Sequence, residues 1–202
     1  SPDLVIHMAA QALVRQSYRD PVETYETNVM GSLRVLQAAA SCKSIRALLM
    51  ITTDKVYENK EIHYAYHESD RLGGYDMYSS SKACCEILID SFRRSFLSVE
   101  RYGDAHNIIL CSARSGNVIG GGDWNQDRLV PDLVASATGG ISVAIRNPVA
   151  IRPWQHVLDC LNGYLMLSAR MLQKDISVSG AWNFAPYQDD VLTVKELADA
   201  AK

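Results

Sequence analysis

Apolar runs of strand length alternate with longer, helically spaced stretches through the first half of the chain. Leu4 to Met8, Ala47 to Thr52 and Asn107 to Ala113 are short and almost continuously apolar, the pattern of strands buried on both faces. Tyr18 to Ala40 and Tyr78 to Glu100 space their apolar residues as amphipathic helices do. Strand, helix, strand, helix, strand predicts an α/β fold with a parallel sheet covered on both faces. After Ala113 the pattern loosens into a glycine-rich loop, Gly116 to Trp124, and shorter elements. Among these, His156 to Met171 and Ala181 to Phe184 are expected to belong to a smaller cap. Thr193-Val194-Lys195-Glu196 has the form of a capping box opening a helix toward Lys202. There is no internal repeat and no low-complexity tract.

Composition narrows the function classes. With 202 residues, 48% of them hydrophobic, the chain can bury a sizeable core. A net charge of -3, with both signs interspersed, argues against nucleic acid or an anionic membrane as the main partner. No apolar segment approaches the roughly 20 residues needed to span a bilayer. The cysteines, Cys42, Cys84, Cys85, Cys111 and Cys160, are odd in number and show no Cys-x-x-Cys spacing, which fits reduced thiols in a cytoplasm. His63 and His67 are spaced to share a metal, yet no further ligand pattern accompanies them, and no metal is predicted. The start at Ser1-Pro2-Asp3, without an initiator methionine and immediately before a strand, leads us to expect a piece of a longer protein.

Two clusters carry chemistry. Tyr78 and Lys82 stand four apart in a predicted helix, so both project from one face and can meet. A tyrosine titrates near about 10, and a neighbouring ammonium lowers that value toward the working range of a base. Such pairs also arise by chance on solvated helix faces; here the loop Gly73 to Met77 and the small Ser79, Ser80 and Ser81 surround the pair, and the serines suit a helix's first turn, where hydroxyls satisfy free amides. The second cluster, Thr53-Asp54-Lys55, follows an apolar strand. Open parallel sheets bind ligands at the carboxyl ends of their strands. His7 to Gln11, Thr52 to Lys55 and Ala113 to Asn117 all fall there, predicting one shared site. The loop from Gly116 lacks a tight strand-to-helix glycine fingerprint and is a weak phosphate signal.

Six segments, in order, give a more specific likeness: His7 to Gln11, Thr27-Asn28-Val29, Thr52 to Tyr57, Tyr78 to Lys82, Gly116 to Trp124, and Ile151 to Val157. With these, the chain resembles the extended short-chain dehydrogenase/reductases, and within them the nucleotide-sugar 4,6-dehydratases. The resemblance implies a Rossmann-like fold, a partial NAD-binding domain over 1–115 that lacks its first strands, and a partial substrate-binding region over 116–202 interleaved with the sheet. It implies NAD as a recycled cofactor: hydride leaves sugar carbon 4, water is eliminated across carbons 5 and 6, and hydride returns to carbon 6. On this likeness Tyr78 takes the hydroxyl proton, Lys82 lowers its pKa and bonds the cofactor ribose, and Thr53 orients the 4-hydroxyl. Asp54 is the general acid and Lys55 the base.

Where the commoner dehydratases carry glutamate, this chain has Lys55, which points to the branch that acts on CDP-glucose. Lysine must be neutral to act, so its pKa of about 10.4 has to be depressed by burial or a neighbouring cation; the plain alternative is a surface ion pair with Asp54 or Glu58. The resemblance further implies that Ala9, Ala10, Gln11, Asn28, Thr52 and an Ala113-Arg114 turn lie near the nicotinamide, together with Tyr78 and Lys82. It implies that Asn117, Leu129 and Arg152 bind the nucleotide-sugar, Arg152 through its diphosphate, and that the helices about Tyr18 to Ala40 and Tyr78 to Glu100 form a homodimer. Arg128, Arg146 and His156 are weaker candidates. The family's glycine-rich dinucleotide turn is expected before Ser1 and further substrate contacts after Lys202. A 4-epimerase would need Tyr78 and Lys82 but no Asp54-Lys55 pair; a silent NAD-binding scaffold would need neither.

Overall fold

The structure is a computed structural model that describes residues 1–60, 62, 64–125, 127–139, 142–187 and 191–201. His63, half of the possible metal pair, lies outside the described residues, as does Lys202. Along the first part run β1 (Leu4–His7), α1 (Val14–Arg19), α2 (Pro21–Tyr25), a π-helical turn (Glu26–Met30), α3 (Gly31–Ser41), β2 (Ala47–Ile51), α4 (Met77–Phe96) and β3 (Ile109–Ser115). There follow β4 (Asn117–Ile119), α5 (Leu129–Gly139), β5 (Ile151–Arg152), β6 (Trp154–His156), α6 (Val157–Leu172), β7 (Ala181–Phe184), β8 (Leu192–Thr193) and α7 (Val194–Ala200).

The chain divides into two compact units, one of residues 1–115 with 162–184, the other of 116–161 with 185–202. In the first, β1, β2, β3 and β7 form one sheet in that order, every neighbouring pair parallel. Ala47, Leu48, Leu49 and Met50 are each no more than 1% exposed, because both faces of a central parallel strand are covered. Leu48, Met50 and Leu110 pack with Leu36 and Ala39 of α3 and with Cys85, Ile89 and Phe92 of α4. This core seats α4 against the sheet and so determines where its first turn points. The second unit pairs β4 with β6 in parallel and β5 with β8 antiparallel. There the Thr193–Glu196 capping box opens α7.

Three expectations need correction. The single helix foreseen over Tyr18 to Ala40 is broken. α1 stops at Asp20, whose carboxylate accepts the Glu23 amide at 2.8 Å and caps α2, with Pro21 in its first turn. Proline lacks an amide donor and collides with the preceding turn, so the chain restarts there. The helix foreseen to Glu100 ends at Phe96, and Val99–Arg101 is a separate 3-10 turn. Ala181–Phe184 is not part of a cap: it is the fourth strand of the main sheet, with Ser112 to Ser115 in register with Ala181 to Phe184.

Candidate active site

Tyr78 and Lys82 stand one turn apart at the start of α4, and both are buried, at 9% and 6% exposure. The cap of this helix is Asp76, which accepts from the Ser79 amide at 2.9 Å and the Ser79 hydroxyl at 2.6 Å. The serines therefore do not cap the first turn as expected. Ser80 pairs with the Tyr25 hydroxyl at 2.9 Å, and Ser81 donates to the Tyr78 carbonyl at 2.7 Å. The Tyr78 amide itself donates to Ser17 Oγ at 3.1 Å, tying the residue to α1. Gly74 makes the approach to this turn possible: its φ is +127°, and a Cβ there would lie 2.5 Å from the Ser79 backbone.

Lys82 Nζ donates to the carbonyl of Ile51, the last residue of β2, at 3.1 Å. Burial pulls the Lys82 pKa below the ordinary lysine value, with Cys85 and Glu86 acting in the opposite direction. Burial, then the Lys82 charge, hold His7 below the usual histidine range. Two residues past Ile51, Thr53 caps a 3-10 turn over Asp54–Val56. Its hydroxyl donates to Asp54 Oδ1 at 3.0 Å and accepts the Lys55 amide at 3.4 Å. Lys55 Nζ stands over the Tyr78 ring, 5.9 Å from its centroid. The fold thus brings the Tyr78–Lys82 turn and the Thr53-Asp54-Lys55 segment to one place at the carboxyl end of β2.

The residues expected around the nicotinamide divide by what their side chains touch. Ala9 is exposed and Ala10 half-buried just beyond β1, and neither offers more than a methyl group. Asn28, 1% exposed, accepts the Gln11 amide at 2.8 Å and donates to the Gln11 carbonyl at 3.1 Å and to Ser81 Oγ at 2.9 Å. The Gln11 side chain is bound to Thr24 and to the Leu13 backbone. Asn28 therefore fastens the segment after β1 to α4. The Ala113-Arg114 turn is corrected: both residues lie inside β3, and Ala113 is fully buried. Thr52 and Arg114 commit their side chains to Glu86, the Thr52 hydroxyl through a short hydrogen bond and Arg114 through an ion pair of 2.7 Å.

Sequence reasoning missed this Glu86 group. Glu86 also accepts from Ser112 Oγ at 2.9 Å, and Arg114 donates to the Tyr57 hydroxyl at 2.8 Å. The Tyr57 hydroxyl in turn donates to Asn183 Oδ1 at 2.6 Å. A signal existed in the four-residue spacing of Tyr78, Lys82 and Glu86, which puts all three on one helix face. The partners on β3 and β7 have no counterpart in local spacing.

In the second unit, Asn117 opens β4 opposite Trp154, Leu129 begins α5, and Arg152 ends β5 opposite Leu192. Arg152 is exposed and donates to the Ile151 carbonyl at 2.8 Å. Of the weaker candidates, Arg146 lies 3.7 Å from Asp127, and His156 Nδ1 accepts the Leu158 amide at 3.2 Å; Arg128 precedes α5. Among the described residues no group of three side chains could hold a metal ion.

A parallel sheet with its candidate side chains gathered at the carboxyl end of the second strand places the chain among the open α/β folds, which bind ligands there. Residues 1–180 match the NAD dependent epimerase/dehydratase family, and the chain belongs to it. It is 47% identical over 198 residues to the CDP-glucose 4,6-dehydratase of Salmonella typhimurium, covering 98% of this chain and 55% of that protein. Its fold is similar to that of a double mutant of dTDP-glucose 4,6-dehydratase from Streptomyces venezuelae, solved with NAD and DAU bound. There the TM-score is 0.81 at 22% identity, over 98% of this chain and 56% of the other. The UDP-glucose 4-epimerase of Thermotoga maritima gives a TM-score of 0.79 at 20% identity, over all of this chain and 60% of the other. At such identities the likeness concerns the fold alone. The chain spans about half the length of the curated relative it matches at 47% identity.

Proposed function

We propose that the protein carrying this chain is a lyase that dehydrates CDP-glucose to CDP-4-keto-6-deoxyglucose. The observation that carries the reading is the meeting of Lys55 with Tyr78 beside Thr53 and Asp54, because an acid and a base for elimination then adjoin a hydroxyl-activating tyrosine. The Salmonella relative supports the choice of CDP-glucose. The residues present fit the nicotinamide half of NAD: Ala9 and Ala10 keep the carboxyl end of β1 low enough for a flat ring, with Tyr78 and Lys82 on the helix nearby. NAD, when bound, supplies the hydride acceptor and donor.

Tyr78 takes the proton of the 4-hydroxyl while Thr53 orients that hydroxyl. Lys82, held at the end of β2, favours the phenolate. The 4-ketone acidifies carbon 5, from which Lys55 removes a proton, and Asp54 protonates the hydroxyl that leaves carbon 6. Asn28 and Gln11 shape the wall after β1, and Thr52, Ala113 and Arg114 support the site from behind. In the second unit Asn117 and Leu129 serve the nucleotide-sugar, and Arg152, with an exposed guanidinium, suits its diphosphate.

Incubating the full-length protein with CDP-glucose and NAD and following the ultraviolet absorbance of a 4-keto sugar in alkali tests the reading. A 4-epimerase would change the sugar and leave no lasting ketone, and a scaffold would leave CDP-glucose intact; either result sinks it.

We further propose a homodimer through α3 and α4. Their outer face carries an apolar groove lined by Leu33, Ala40, Leu88, Phe92 and Phe96, with Ile87 and Phe96 exposed. The cysteines are free thiols, as suits a reducing cytoplasm, and no described helix is long and apolar enough to cross a membrane.

A further inference from the structure

Glu86 lies one turn past Lys82 and two past Tyr78, and it is 3% exposed. Its carboxylate accepts from Thr52, from Ser112 and from Arg114. Arg114, 5% exposed, donates onward to the Tyr57 hydroxyl at 2.8 Å and the Glu68 carbonyl at 3.0 Å, and its guanidinium carbon stands 5.2 Å from the Tyr57 ring centroid. Removing two charges from water offsets most of their mutual attraction, so a buried ion pair is a poor stabilising device. Here the cost is higher still, because Arg114 Nε has no hydrogen-bond partner among the described residues. The pair needs another reason to be kept.

What it holds supplies that reason. Thr52 immediately precedes Thr53-Asp54-Lys55-Val56, and Tyr57 immediately follows it. We propose that the Glu86–Arg114 pair is a clamp on the two ends of this segment, Thr52 gripped by Glu86 and Tyr57 by Arg114, which makes both charged residues positioning residues for Thr53, Asp54 and Lys55. Glu86 sits on the same helix face as Tyr78 and Lys82, so the clamp sets the acid and base of the segment against the tyrosine. Tyr57 is braced further by Asn183 of β7, which also donates to the Tyr66 carbonyl at 2.9 Å. The inference rests on the dehydratase reading for the chemistry of the segment, but not for its geometry.

The test uses the full-length protein and two variants. Glu86→Gln with Arg114→Met removes both charges together, so that neither is left buried alone, and Tyr57→Phe frees only the far end. Amide hydrogen exchange is read at Val56, Tyr57 and Glu58, whose amides bond to Thr53, Asp54 and Arg71 carbonyls, and turnover of CDP-glucose is measured alongside. In both variants these amides should exchange about tenfold faster while β2 and β3 keep their protection, and kcat should fall about tenfold or more with KM within about twofold. Unchanged exchange at the three amides, exchange that rises equally throughout the sheet, or an undiminished kcat would each overturn the clamp. Wild-type protein that leaves CDP-glucose untouched would remove the dehydratase reading, and the exchange data alone would then decide the clamp.

Discussion

In the proposed mechanism Tyr78 and Lys55 carry separable duties, and their variants should separate the two halves of the reaction. Tyr78→Phe removes the group that takes the 4-hydroxyl proton and should lower kcat by about 10²- to 10⁴-fold with no reduced cofactor formed. Lys55→Ala should leave oxidation at carbon 4 intact and stall elimination, seen as near-ultraviolet absorbance that persists after substrate is added. Equal loss of both steps in Lys55→Ala would remove its role as base. Lys82 has a signature that needs no substrate. Burial depresses its pKa from the ordinary 10.5, so between the depressed value and 10.5 the unfolded chain binds more protons than the folded one, and stability rises with pH through that window. Lys82→Met should therefore gain stability relative to wild type near neutral pH, and the gain should shrink as the pH climbs toward about 10. Paired urea titrations at the two pH values check this, and a gap that widens with pH would contradict it.

At the scale of elements, β1, β2, β3 and α4 could be read in the sequence to within a few residues, because continuous apolar runs and helical spacing report burial directly. The break at Asp20-Pro21 was legible in principle, as aspartate before proline is a strong restart signal. It was hidden by helical spacing that continues on both sides. The strand Ala181–Phe184 could not be assigned to its sheet by local pattern, since pairing with β3 joins residues nearly seventy positions apart. One consequence lies where α6 crosses β7. A Cβ added at Gly163 would meet the Phe184 ring at 2.4 Å. Alanine is the better helix former by about 1 kcal/mol, yet overpacking costs about 1–3 kcal/mol. Gly163→Ala is thus expected to lower stability by up to about 2 kcal/mol, measured as a fall in the urea midpoint. A raised midpoint would mean that the ring yields.

For the whole molecule, the proposed dimer rests on the outer face of α3 and α4. Phe96 is 64% exposed and Ile87 59% exposed, an apolar surface that a second copy would cover. Phe96→Glu should convert a dimer to a monomer in light scattering after gel filtration, because a charge buried there without a partner costs several kcal/mol, on the order of the association energy that a small apolar interface supplies. A wild-type monomer, or a variant that remains dimeric, would refute the proposed assembly.

By itself the sequence determined the parallel α/β class, the Tyr78–Lys82 pair and the Thr53-Asp54-Lys55 segment, since each is written in short-range spacing: apolar runs for strands, four residues for a helical turn, adjacency for the segment. Only the tertiary structure decided that Lys55 meets the Tyr78 ring, that Arg114 turns inward to Glu86 within a strand, and that Thr52 and Tyr57 are held by that pair. The reason is distance along the chain. Helix α4 reaches the end of β2 through core packing of residues far apart in sequence, and no local pattern encodes which charged groups such packing will close together.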